Sequence, residues 1–285
     1  VHNVSFQVRK GEIVCIAGID GNGQTELVYG ITGLEKPNAG KIIFHKREPN
    51  PDDPQGDPID KEIDVTHRSI RERSNLGMNH IPEDRHKHGL ILDFTLEQNM
   101  VLQRYFEPQF QKHGFIKFGE IRRYSDELIE DFDVRSGQGS ITIARSMSGG
   151  NQQKAIVARE LRRDHDLLVA VQPTRGLDVG AIEYIHEQIV KDRDSGAAVL
   201  LVSLELEEVM NLSDRILVIY EGELVAEVDP KQITVQELGL YMAGAKRMEG
   251  FESDREPAGA EATPHEEPIE SDQNNENTED KADEE

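Results

Sequence analysis

Ten residues, Gly18-Ile-Asp-Gly-Asn-Gly-Gln-Thr-Glu-Leu27, follow an apolar run, Ile13–Ala17, and lead into a helix-capable run over residues 26–29. Strand, glycine-rich turn and helix, in that order, is the build of a phosphate-binding loop. Its glycines let backbone N–H groups turn inward on an anion, and the following helix presents the positive end of its dipole to the same place. In the usual spacing, G-x-x-x-x-G-K-[ST], Gly18, Gly23 and Thr25 fit, and the lysine position holds Gln24. The frame of a nucleotide site is present without its cation. Two alternatives stand beside this reading. One is a plain glycine turn. The other is a dinucleotide loop, G-x-G-x-x-G, which Gly21 and Gly23 satisfy and Glu26 breaks.

The rest of the chain alternates strands with helices. Residues 4–8 alternate as a strand does, residues 41–45 read as another, and residues 49–62, rich in proline and aspartate, read as a loop or insertion. Val65-Thr66 offers an N-cap for a short basic helix over residues 69–73. Residues 78–81, 166–171 and 197–203 are short buried strands. From about residue 90 to 150 the period turns helical, with Leu96, Met100, Val101 and Tyr105 on one face and Ile121, Tyr124, Leu128 and Phe132 on another. Helices are expected over residues 151–162, 181–190, 205–212 and 234–242, and a hairpin around Glu221-Gly222. Near-continuous apolar strands between helices predict an α/β fold, a mostly parallel sheet covered on both faces. Half-polar strands at the two ends predict an antiparallel sheet beside it.

Three further stretches carry chemistry. Met147-Ser-Gly-Gly-Asn-Gln-Gln-Lys154 opens a helix with a serine and two glycines. Ser148, Gly149 and Gly150 make an anion-accepting start with unpaired donors; an ordinary N-capped helix has the same look. Leu167-Leu-Val-Ala-Val-Gln-Pro-Thr-Arg-Gly-Leu-Asp178 is a buried strand of the kind that ends in a carboxylate pair in phosphate-loop enzymes, where the pair holds Mg²⁺ and positions water. Here Val171 and Gln172 stand in those two places. The strand over residues 199–203 ends on Ser203 and Leu204, neither of them a good sensor of a terminal phosphate.

The order and spacing of these four stretches resemble an ATP-binding cassette (ABC) domain over about residues 1–246, with a helical subdomain at about 90–150. Ser148-Gly-Gly-Asn-Gln-Gln-Lys resembles the family signature, in the variant found in sugar importers. Gly18-Ile-Asp-Gly-Asn-Gly-Gln-Thr and Ile81-Pro-Glu-Asp-Arg85 are similar to the C-terminal cassette of tandem ATPases that serve monosaccharide and nucleoside importers. Val171-Gln172-Pro173 inclines toward the nucleoside branch. The resemblance implies a P-loop NTPase of ABC type, with an antiparallel β subdomain and an inserted helical signature subdomain. Two cassettes pair head to tail, and each ATP lies between the phosphate loop of one and the signature of the other. Gly18, Asp20, Gly21, Asn22, Gly23, Gln24, Thr25 and Glu26 would then form the nucleotide loop, with Thr25 a weak metal ligand. Ser148, Gly149, Gly150, Asn151 and Gln152 would form the signature, and Asp178 would sit in the loop between the two sites. Glu83 and Asp84 fall where the family has a glutamine that touches the metal and senses the membrane subunit.

Departures from that pattern lie on one side. Gln24 replaces the lysine, Val171 the metal aspartate, Gln172 the catalytic glutamate and Leu204 the switch histidine. A general base alone contributes about 10²–10⁴-fold to a rate, so this loop's own site is expected to turn over very slowly. The signature is untouched and would complete a partner's site. The implied cofactors are ATP and Mg²⁺. The implied partners are an N-terminal cassette of the same polypeptide or a second cassette, transmembrane permease subunits and, indirectly, a substrate-binding protein, at the cytoplasmic face of a membrane. The alternative is a regulatory module that binds nucleotide without hydrolysing it.

Composition bears on partners. The net charge of −23 argues against nucleic acid, whose phosphates need a basic surface, and disfavours a translation-factor cassette pair. Residues 249–285 hold 15 acidic and 2 basic residues, 13 of the net negative charges, and are expected to be a disordered acidic tail, with 247–285 taken as its span. The single Cys15 lies in the apolar run, which points to a core role and a reducing compartment. No run approaches the length of a membrane span. The opening alternating run has no methionine before it, so upstream sequence is expected.

Overall fold

Each residue of β1 (Ile13–Ala17), the strand that feeds the loop, is fully buried. The computed structural model describes residues 1–48, 57, 59–249 and 251. After β1 come α1 (Gln24–Thr32), the pair β2 (Ile43–Glu48) and β3 (Ile59–Asp64), α2 (Ile70–Leu76) and β4 (Met78–Ile81). A helical block follows: α3 (Leu96–Met100), the short pair β5 (Gln111–Lys112) and β6 (Phe115–Ile116), α4 (Phe118–Asp131) and α5 (Gly149–Leu161). Then β7 (Leu167–Val171), α6 (Val179–Asp194), β8 (Ala198–Ser203) and α7 (Leu206–Leu212) alternate, followed by β9 (Arg215–Tyr220), β10 (Glu223–Val228) and α8 (Val235–Met242).

The central sheet runs β10–β9–β1–β8–β7–β4. Neighbours are parallel except at the β9–β10 edge. Side chains alternate across it. Ile13, Cys15 and Ala17 join α5, α6, α7 and α8 in one core, and Val14 and Ile16 join α1 and residues 4–8 in the other. Burying one such aliphatic side chain contributes about 1.5–3 kcal/mol, so a one-residue slip of β1 would exchange two packed faces at once. The register sets the strand ends level: Ala17 lies opposite Ser203, Val171 opposite Val202, and Ile81 opposite Ala170. Ligands of open α/β sheets bind outside such carboxyl ends.

Several expectations are corrected. Residues 4–8 form no strand, although Val4, Phe6 and Val8 do pack on the sheet; side-chain burial held the alternation without a ladder partner. The stretch read as a loop over 49–62 lies partly outside the described residues, and its end is strand β3, paired antiparallel with β2. Only Ile63 of β3 is buried, so the apolar signal was too thin. The strand expected at 41–45 is displaced to β2. The helix expected from Val65-Thr66 is capped instead by Ser69, which forms a capping box with Glu72. The face through Tyr105 ends early, since α3 stops at Met100 and Tyr105 is exposed. Of the strands at the two ends, only β2–β3 stands apart as an antiparallel pair, because β9–β10 extends the central sheet; the short β5–β6 pair is a further antiparallel ribbon in the helical block. Of the span 247–285 taken as the acidic tail, residues 247–249 and 251 are described, and Met248 and Phe251 pack against the cores rather than being disordered; the rest lies outside the described residues. No described helix is long and apolar enough to cross a membrane.

Helix α1 is anchored at its far end by an unusual cation. Arg73 of α2 is only 2% exposed. Its guanidinium donates to the carbonyls of Gly30 at 2.6 Å, Thr66 at 2.8 Å and Arg68 at 3.1 Å, and to that of Ile31. All four acceptors are backbone oxygens, and two belong to the C-terminal turn of α1, where the helix dipole favours a cation. Arg73→Met is expected to lower unfolding stability by about 3 kcal/mol, because buried carbonyls lose their donors. Arg73→Lys should recover only a minor part, lacking the planar fork. Denaturant unfolding of both variants checks this; full recovery by lysine would show that charge alone suffices.

Candidate functional site

The loop after β1 is built tightly. Gly23 has φ 104°, and a Cβ there would lie 3.2 Å from the Cα of Gly222. A Cβ on Gly18 would fall 2.5 Å from Gln24 Nε2 and 2.7 Å from the carbonyl oxygen of Ile219. Glycine is therefore required at both, by backbone conformation at the first and by close approach at the second. Asn22 braces the loop. Its Nδ2 donates to Ile19 O at 2.9 Å, its Oδ1 accepts from Glu221 N at 2.8 Å, and its carbonyl accepts from Gly222 N at 2.9 Å. Gln24 is 6% exposed and folds back into the loop. Its Nε2 donates to Ile19 O at 3.0 Å and its Oε1 accepts from Asn22 N at 3.1 Å. Asp20, Gly21 and Glu26 are exposed, with Glu26 in the first turn of α1, whose start has no side-chain cap.

Thr25 lines a small cavity of about 40 Å³ with Val28, Tyr29, His80, Glu83, Asp84 and Val171 among its walls. The two acidic candidates of this region separate in role. Asp84 caps the π-type turn Arg85–Gly89, and hydrogen bonds from the backbone N–H groups of Lys87 and His86 hold its carboxyl below the usual range. Glu83 turns to the end of β7. It accepts from Gln172 Nε2 at 2.9 Å and pairs with Arg175. Gln172 itself is left-handed (φ 43°), and its N–H donates to Val202 O at 2.7 Å. Val171 is buried and Leu204 half-buried. The polar groups at this edge thus include the Thr25 hydroxyl, the Gln172 carboxamide and two carboxylates already engaged, Glu83 by two side-chain donors and Asp84 by two backbone N–H groups. Among the described residues no cluster of His, Cys, Asp and Glu gathers to hold a metal. Mg²⁺ is ordinarily held through one or two available carboxylates besides phosphate oxygens, so the residues present do not fit a protein-built magnesium site.

The signature stretch lies on another grouping. Ser148 is exposed and caps α5; its Oγ accepts from Asn151 N at 3.4 Å and from Asn151 Nδ2 at 2.9 Å. The hydroxyl oxygen expected to be unengaged is therefore used locally, while its proton stays available for donation. Asn151 Oδ1 accepts from Arg135 N at 2.8 Å. Gln152 points inward, donating to Ala144 O and meeting His86 Nε2, both at 2.9 Å. Asp178 caps α6 through Ala181 N, and a Cβ on Gly150 would sit 3.4 Å from its Oδ2. Gly150 and Asp178 are brought together, and Gly149 lies close to Arg85, since a Cβ there would be 3.2 Å from Arg85 Nη2. A polar cleft of about 410 Å³, lined in part by Arg104, Arg162 and Arg163, contains none of these residues.

His80 and Arg175 were not singled out from the sequence, and nothing in their local pattern marks them. His80 Nε2 is shut off from solvent and has no partner. Burial, with His88 and Arg159 nearby, lowers its pKa from 6.5 to about 4. The unfolded chain therefore takes the proton first on acidification. Stability from neutral His80 is complete above about pH 6.5 and is expected to fall by roughly 3 kcal/mol as pH drops toward 4. His80→Gln should flatten that part of the unfolding profile, measured in denaturant between pH 4 and 8. A second expectation concerns the strand ends. Gln172→Glu would face Glu83 with a second carboxylate and should cost about 1–3 kcal/mol near neutral pH. The double variant Glu83→Gln with Gln172→Glu should restore stability in a double-mutant cycle.

Residues 1–175 match the family model described as ABC transporter. The chain is 49% identical over 244 residues to the nucleoside import ATP-binding protein NupA of Lactococcus lactis, covering 86% of this chain and 45% of that protein. It is 49% identical over 249 residues to the guanosine import ATP-binding protein NupO of Bacillus subtilis, covering 87% and 46%. Against the glucose import ATP-binding protein TsgD13 of Haloferax volcanii it is 43% identical over 244 residues, covering 85% and 41%. The chain spans about half the length of the curated relatives it matches. Among solved structures, a nucleotide-free ATP-binding cassette from an ABC transporter superposes with a TM-score of 0.61 at 20% identity, covering 79% of this chain and 83% of that one. A dimeric cassette in a post-hydrolysis state with ADP and Pi gives 0.63 at 22%, covering 81% and 90%. Both likenesses are of fold.

Proposed function

Because the chain belongs to the ABC transporter family, we propose that it is an ATP-binding cassette of an importer for nucleosides or simple sugars, the C-terminal one of a tandem pair. Relatives whose names specify nucleoside, guanosine and glucose import support the substrate class. Their length, about twice the matched region, supports the tandem. Residues 1–246 are the cassette, with about 90–150 as its helical subdomain and 247–285 as the tail. The helical block, whose Phe115 and Phe118 are exposed, faces the permease subunits at the inner side of the membrane, and a substrate-binding protein delivers the cargo.

One observation carries the mechanism. The polar groups at Gln24, Val171, Gln172 and Leu204 are lost or engaged on one edge, while Ser148, Gly149 and Gly150 open α5 at an accessible helix start. ATP held by the partner cassette's loop meets the Ser148 hydroxyl and the first-turn N–H groups of α5. Those donors stabilise charge that grows on the terminal phosphate as water attacks. The attacking water is activated by the partner's own base. On this chain's loop, Gly18, Asp20, Gly21, Asn22, Gly23, Gln24, Thr25 and Glu26 surround nucleotide without turnover, and Mg²⁺ would be held by the nucleotide's own phosphate oxygens rather than by a carboxylate pair here. Asp178, beside Gly150, links the two sites.

Ser148→Arg in the complete transporter is expected to reduce ATP-driven uptake by about a hundredfold or more, the scale of losing a positioned contact to the reacting group. Radiolabelled nucleoside uptake into vesicles checks it. A second reading, a regulatory module that binds nucleotide without hydrolysing it, is favoured by the engaged Gln24; on that reading uptake in Ser148→Arg is unchanged.

A further inference from the structure

The loss of lysine at position 24 is a loss of charge, and the structure adds something that charge does not describe. A phosphate loop binds through backbone N–H groups that point inward and have no partner of their own. Here Asn22 N already has one, the Oε1 of Gln24 at 3.1 Å. The same carboxamide closes the ring by donating from Nε2 to Ile19 O at 3.0 Å. The side chain is 6% exposed, and its Nε2 occupies the space over Gly18 that a Cβ there would enter. An anion arriving at the loop therefore meets a donor in use and a side chain in the way.

We propose that Gln24 is an internal plug, whose carboxamide stands in the phosphate cradle and must be expelled before a phosphate-bearing ligand can enter. Expulsion breaks two hydrogen bonds inside the loop. The bonds are replaced only if the ligand supplies an oxygen to Asn22 N and the carboxamide finds solvent or ligand atoms outside. A polyphosphate offers several charged oxygens that can replace these bonds, so the plug weakens occupancy of this loop by phosphate chains without abolishing it. The brace of Asn22 against Glu221 and Gly222 keeps the loop closed around the plug, so that the side chain moves and the backbone does not.

This inference rests on reading residues 18–27 as a nucleotide loop, and it deepens that reading. The test separates a plug from a merely absent cation. ATP and inorganic tripolyphosphate are titrated calorimetrically into the chain and into Gln24→Ala and Gln24→Ser. A plug predicts that both variants bind both probes about tenfold more tightly than the parent chain, although neither adds a charge; the factor follows from two modest hydrogen bonds no longer opposing entry. Gln24→Glu should bind more weakly than the parent. Thermal unfolding of each variant confirms that it is folded, and serine serves where alanine is not. Equal or weaker binding by folded alanine and serine variants, including no binding by any chain, overturns the plug. Failure of Ser148→Arg to affect uptake would overturn the partner-site reading and leave this result untouched, since Ser148 and Gln24 are read in different assays.

Discussion

The parallel pairing of β1 between β8 and β9 is the constraint from which the site follows. Strands buried on both faces cannot slide, because a shift would turn one packed face into the other. Their carboxyl ends are therefore fixed level, with Ala17, Ser203, Val171 and Ile81 at neighbouring rungs. Whatever residue follows each strand is delivered to one edge. Gly18, Leu204, Gln172 and Pro82 are those residues, and Glu83 is one step further. The character of the edge is thus decided by a few positions just past the core, of which Gly18 is fixed by close packing and Gln172 is held by contacts at the edge itself.

That separation explains how a nucleotide-binding frame persists while its chemistry departs. The contacts that shape the loop are made by glycines, by Asn22 and by the sheet edge, and none requires a lysine. The contacts at the end of β7 have been rebuilt among neighbours: Gln172, Glu83 and Arg175 satisfy one another. An edge of this kind is stable because its polar groups are paired internally, and it is quiet for the same reason. On the other grouping, Ser148 spends its oxygen on capping α5 and keeps its proton for an outside acceptor. The two halves of the chemistry are built to different ends within one chain.

Much of this was legible in the sequence where burial and periodicity coincide. Met78–Ile81 was read to the residue, the hairpin around Glu221-Gly222 was read from its turn, and the buried strands and the helices after them fell within a few residues. Legibility failed where the pattern reports burial without pairing, as at residues 4–8, or pairing without burial, as in Ile59–Asp64. At the site, the glycines, Gln24 and Val171 were visible as residue types. How Glu83 and Asp84 divide their partners was not, because it depends on a π-type turn that claims Asp84 as its cap. The inward fold of Gln24 was equally hidden, since a side chain's choice between solvent and its own backbone leaves no trace in spacing.

The brace between Asn22 and the β9–β10 turn has a reach beyond the loop. Two amides of the turn, Glu221 N and Gly222 N, end on Asn22. They belong to the rim of the sheet, and their pairing with Asn22 ties their protection from water to the integrity of the loop. The hairpin tip is in that sense a gauge mounted on the outer wall of the molecule. Its two amide protons report whether Asn22 still holds the turn to the loop.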